Sequence, residues 1–104
     1  MCTSDSGYVI SSQSLTKDQN SNSVTVTVAM SPVPPPSATP SLTSLQDALS
    51  LSSFSWNRGT VTMKLNLLRA LNSNELLNVR FSQISATTTI PTVDSNNAEL
   101  RPYD

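Results

Sequence analysis

The side chains of this 104-residue chain with the greatest capacity for chemistry are nineteen serines, one cysteine, two lysines and seven acids, and there is no histidine. A serine hydroxyl becomes a nucleophile only when a neighbouring base takes its proton. Without histidine, a Ser-Lys pair through Lys17 or Lys64 stays open, since spacing alone neither joins nor separates either lysine and a particular serine. The acids Asp5, Asp18, Asp47, Glu75, Asp94, Glu99 and Asp104 are scattered. No two of them stand four residues apart, the helical spacing that would turn two carboxylates toward one metal or substrate. Zinc needs several Cys or His ligands, and Cys2 is alone. Phosphate-cradling loops need clustered glycine, whereas Gly7 and Gly59 lie 52 positions apart. The expectation is a non-enzymatic chain with no catalytic residues, no cofactor and no metal.

Serine, twelve threonines and nine asparagines carry the polarity, while charged residues make up 12% and hydrophobic residues 37% of the chain. A domain of this length buries about two thirds of its unfolded surface, so a small core is expected. The net charge of −1 makes attraction to nucleic acid or to an acidic membrane weak at most. A local excess of positive charge, Arg58, Lys64, Arg69 and Arg80 against Glu75, reads as solvated outward faces of strands, with Arg58, Lys64 and Arg80 forming a cationic face. The lone Cys2 forms no intrachain disulfide. No signal peptide and no apolar run of membrane-spanning length are visible. With Met1 native, the chain is expected to be intracellular or carried inside a particle. With Met1 standing for a removed signal, Cys2 would be the lipidated first residue of a bacterial lipoprotein.

The elements that must position these residues follow from periodicity. Residues 1–22 form a polar N-terminal arm with one apolar patch at Tyr8, Val9 and Ile10. Val24, Val26, Val28 and Met30 alternate with polar or small residues, which predicts a strand near 23–30. Five prolines between Ser31 and Pro40 make residues 31–40 a polyproline-like linker, whose Pro32 and Pro35 have PxxP spacing. Thr43 with Gln46 fits a capping box, and Leu42, Leu45 and Leu49 fall at helical spacing, so a short helix is expected near 42–50.

Phe54 and Trp56 alternate with serines over 52–56, and Asn57-Arg58-Gly59 supplies a turn. Val61, Met63, Leu65 and Leu67 then define a strand near 60–68, and Leu77, Val79 and Phe81 another near 76–82, so 54–81 reads as a three-stranded meander. Residues 65–77 admit a helix as the alternative. A last strand is expected near 86–90, before a polar C-terminal tail over 91–104. The whole is a mainly β chain: one small β-rich domain over 23–90, a small antiparallel sheet packed on one helix, with extended polar termini. Phe54 and Trp56 would anchor the core or an interface.

The run Phe54-Ser55-Trp56-Asn57-Arg58-Gly59-Thr60-Val61-Thr62-Met63-Lys64 resembles a strand-turn-strand segment of the jelly-roll capsid proteins of picorna-like viruses, and Leu76-Leu77-Asn78-Val79-Arg80-Phe81 resembles the strand that follows there. The resemblance implies a structural, assembling protein, a minor component of a virus particle, working through protein partners or a homo-oligomer. A second reading is a small viral accessory protein from an overlapping frame, binding host protein or lipid as a dimer whose strands complete one another's sheet. The third is the lipoprotein fragment anchored through Cys2.

Overall fold

The computed structural model describes residues 8–94 and 97–103. Seven strands follow in order: β1 (Val9–Lys17), β2 (Ser23–Ser31), β3 (Pro40–Leu42), β4 (Leu49–Asn57), β5 (Thr60–Leu67), β6 (Leu76–Phe81) and β7 (Ala86–Pro91). They form two antiparallel sheets, one in the order β1-β2-β5-β4 and the other β3-β6-β7. This strand order and its division between two sheets are the same as in a constant-type immunoglobulin sandwich. Val26 of β2 and Val79 of β6 are buried, and the tryptophan stands on the fourth strand.

Alternation explains the core. Val24, Val26, Val28 and Met30 of β2 and Val61, Met63, Leu65 and Leu67 of β5 turn inward from one sheet. Leu77, Val79, Phe81 and Ile90 meet them from the other, in a single apolar cluster. Each strand of this kind presents one apolar and one polar face, and two such apolar faces have nowhere to go but against each other. The outward face of the larger sheet is correspondingly hydroxyl-rich, with Thr25, Thr27, Thr60 and Thr62 on its central strands.

The expected strands near 23–30, 52–56, 60–68, 76–82 and 86–90 are all present, with β4 beginning three residues earlier than expected. Other features differ. The segment 42–50 is not a helix, and the described residues contain none. Leu45 adopts φ 56°, which breaks helical continuity, and its carbonyl accepts from Ala48 and Leu49 at 3.0 and 2.9 Å in a single turn. Thr43, the supposed cap, donates from its N–H and its hydroxyl to the Asn78 carbonyl instead. Leu49 then enters β4 opposite Leu67, where strand pairing outweighs a two-turn helix of low intrinsic stability.

The meander over 54–81 is a β4–β5 hairpin only, because β6 crosses to the second sheet. The helical alternative for 65–77 gives way to the end of β5, a loop and the start of β6. Residues 9–17 of the supposed N-terminal arm are β1, which pairs along β2 from Val9 to Lys17 with a bulge near Ser11. Residues 1–7, Cys2 among them, lie outside the described residues.

The proline-rich segment is the loop from β2 to β3, and it is folded rather than extended. Ala38 N–H donates to the Pro35 carbonyl at 3.0 Å, Ala38 is buried, and Pro40 already pairs with Phe81. The tail also folds back: Val93 bridges Glu99, Leu100 is buried, and Leu71 N–H donates to the Leu100 carbonyl at 2.9 Å.

Thr92 closes the loop between β5 and β6. It is fully buried, and its hydroxyl faces the carbonyls of Glu75 at 2.6 Å and Asn72 at 3.1 Å. Thr92→Val keeps the shape and removes the donor to two carbonyls, so it is expected to destabilise the fold by about 1–3 kcal/mol. Urea denaturation checks this, and amide exchange over residues 72–76 should rise with it.

Candidate functional site

The two sheets leave four edge strands, and what covers each decides where the molecule can meet another. β3 is three residues long and begins with proline. β1 and β7 lie side by side and are tied together by Gln13. Its Nε2 donates to the Thr89 carbonyl at 3.0 Å, and its Oε1 accepts from the Thr88 hydroxyl at 2.6 Å. Beside this bridge is a shallow, mainly apolar groove of about 280 Å³ lined by Gln13, Ser14, Leu15, Ile90, Pro91, Val93 and Asp94.

β4 is the remaining edge. Nine residues long, Leu-Ser-Leu-Ser-Ser-Phe-Ser-Trp-Asn, it has neither charge nor proline. Among the hydrogen bonds of the described residues, the backbone of Ser50–Asn57 is bonded to β5 and to nothing else.

Beneath that edge the sandwich is not fully closed, because β3 is too short to cover it. Leu42 of β3 and Leu51, Phe54 and Trp56 of β4 are half-buried against the core. Trp56 packs on Phe81 with ring centroids 5.8 Å apart at 55°, and its indole N–H donates to the Ala38 carbonyl at 2.9 Å. One ring thus joins β4, β6 and the proline-rich loop.

Of the five residues singled out from sequence, Phe54 and Trp56 therefore come together on the inward side of β4. Arg58, Lys64 and Arg80 do not form one face. Arg58 sits in the β4–β5 turn with φ 54°, Lys64 lies on the outer surface of the first sheet beside Thr25 Oγ1 at 3.1 Å, and Arg80 lies on the outer surface of the second. Alternation points both side chains away from the core, but from opposite sheets. Lys17 donates to the carbonyls of Asp18 and Ser21 at 2.9 and 2.7 Å. Lys64 meets a threonine on an open sheet face, so neither lysine is set against a serine hydroxyl in a cavity.

Leu42 and Leu51 complete the apolar seam and escape a reading by alternation. Leu42 falls in the proposed helical register, and the irregularity between Leu51 and Ser53 shifts the inward positions by one residue.

Two of the described acids, Asp47 and Glu75, are engaged by one arginine. Arg69 bridges Asp47 at 3.0 Å and Glu75 at 3.1 Å across the loops at one end of the sandwich. The hydrogen bond from Arg69 holds both carboxyls below their ordinary range, and for Glu75 the Asn72 backbone N–H adds to this. Carboxyls held low in the folded state contribute stability that is present at neutral pH and is lost as pH falls through their depressed values, below about pH 4. Arg69→Gln should therefore lower the urea midpoint at pH 7 and leave it close to that of the unsubstituted chain in the acid limb. Added salt should shrink the difference at pH 7. Among the described residues no three Cys, Asp or Glu side chains are placed to hold a metal ion, and no helix is long and apolar enough to cross a membrane.

Compared with known proteins, the chain matches no family model, no curated protein and no solved structure.

Proposed function

We propose that this chain is a non-catalytic structural module that works as one component of a larger protein assembly. The observation that carries the reading is the edge of β4, nine residues without charge or proline whose Ser50–Asn57 backbone is, among the described residues, bonded to β5 alone, an arrangement that suits contact with another chain. The polar side chains of the sandwich act as fasteners: Gln13 between the sheets, Thr92 on the β5–β6 loop and Ser44 on β6, where its hydroxyl donates to the Leu76 carbonyl at 2.9 Å.

The likeness of the Phe54–Lys64 and Leu76–Phe81 segments to capsid strands supports a virus particle as that assembly. The test is to fractionate a native extract by size and follow the chain with an antibody. It is expected in high-mass fractions at a fixed ratio to a structural partner. Recovery solely as a free 11.2 kDa chain or its dimer would overturn the reading.

A further inference from the structure

We infer that β4 is a docking edge for a second copy of this chain, joined in an antiparallel, two-fold ladder across Ser53–Asn57 that makes one continuous eight-stranded sheet. The inference deepens the assembly reading and rests on it. Natural sheets protect long edges with charge, proline or cover. Here β3 is short, β7 ends in Pro91, and β1 and β7 are bridged by Gln13, so among the described residues β4 is the edge left without any of the three.

The register follows from hydrogen-bond parity. Arg58 and Gly59 both have positive φ, 54° and 87°, and form a two-residue turn, which makes the flanking Asn57 and Thr60 a hydrogen-bonded pair. Along an antiparallel ladder bonded and non-bonded pairs alternate, so Ser55 bonds to β5 while Phe54 and Trp56 turn their backbone N–H and C=O groups outward. The bulge lies between Leu51 and Ser53 and leaves Ser53–Asn57 regular. When two such edges meet, Phe54 of one copy pairs with Trp56 of the other, and the two-fold axis passes between the two Ser55 residues.

The side chains suit a second copy. On one face the opposed residues are Ser53, Ser55 and Asn57, all small and neutral. On the other, the half-buried Phe54 and Trp56 of each copy become cross-strand neighbours over the open seam beside Leu42 and Leu51. A self-complementary edge of this kind makes an isologous contact, which closes at two copies instead of growing into a fibre. With a net charge of −1, the copies repel each other little.

The test is sedimentation velocity on the full chain up to roughly millimolar concentration, a range that captures even weak association. The unsubstituted chain is expected to pass from monomer to dimer, with a concentration-dependent blue shift of Trp56 emission. Ser55→Lys places two like charges at the axis and should raise the dimer dissociation constant by at least about tenfold. Thr16→Lys, on the far edge strand, should leave it unchanged. Mixing Ser55→Lys with Ser55→Glu should restore a heterodimer, which a misfolded variant could not form. A chain that stays monomeric throughout, a Ser55→Lys variant that dimerises as well as its parent, or a mixture that fails to recover association each overturns the inference. All three are read on the purified chain, independently of the particle fractions that test the assembly reading.

Discussion

Phe81→Ala is expected to lower the stability of the fold by about 3–5 kcal/mol, the range for truncating a fully enclosed aromatic ring. Phe81 is fully buried at the end of β6, between Pro40 of β3 and Ala86 of β7, and its ring meets Trp56 from the opposite sheet. Its loss opens a cavity at the point where the sheets and the proline-rich loop join, since Trp56 also holds the Ala38 carbonyl. A domain of this size has a total stability on the order of 5–15 kcal/mol, so the variant should sit close to the folding threshold. Urea denaturation followed by Trp56 fluorescence measures the loss, and emission should shift toward that of a solvent-exposed indole. Phe81→Leu fills part of the space and should recover about half. A cost for the alanine variant below about 1.5 kcal/mol would mean that the inter-sheet contact is not what secures this end of the sandwich.

The parts of the fold legible from sequence are those where one side of a strand is buried and the other exposed. Val24 to Met30, Val61 to Leu67 and Leu77 to Phe81 alternate without interruption, and every inward-facing member is in the core. Which sheet each strand joins was not legible, because alternation fixes the face of a strand but not its neighbour. β5 and β6 carry the same kind of pattern and lie in different sheets. β1 was hidden because its inward positions include Gln13 and Lys17, polar residues held at an edge, and because the bulge near Ser11 breaks the period.

Leu42, Leu45 and Leu49 mimic a helical stripe because a strand end, a turn and a strand start each deliver one leucine to the same core. Of the candidate site, the aromatic pair on β4 was visible as alternation with serine. The exposed edge was not, because exposure depends on β3 being short and on β1 being tied to β7. Both are tertiary facts.

The β4–β5 turn gives the second large effect, and it is the place where the backbone itself constrains the residue. Gly59 has φ 87°, and a Cβ added there would lie 2.9 Å from the Met30 carbonyl oxygen, closer than such contacts occur. Met30 N–H also donates to the Gly59 carbonyl at 2.9 Å, so the turn is fastened to the end of β2 and cannot move away cheaply. Gly59→Ala combines the left-handed backbone penalty with this clash and should cost about 2–3 kcal/mol, or roughly 10–20 °C in Tm.

Arg58 tests the same geometry with the opposite sign. It occupies the first central position of the turn at φ 54°, where asparagine is favoured over a long side chain, and it is exposed. Arg58→Asn should therefore stabilise by about 0.5–1 kcal/mol. If the alanine variant melts with its parent, or the asparagine variant melts earlier, the two-residue turn is wrong. With it would go the hydrogen-bond parity that turns Phe54 and Trp56 toward the open edge. Thermal melts of the two variants therefore test the premise on which the register of the proposed ladder depends, before any association is measured.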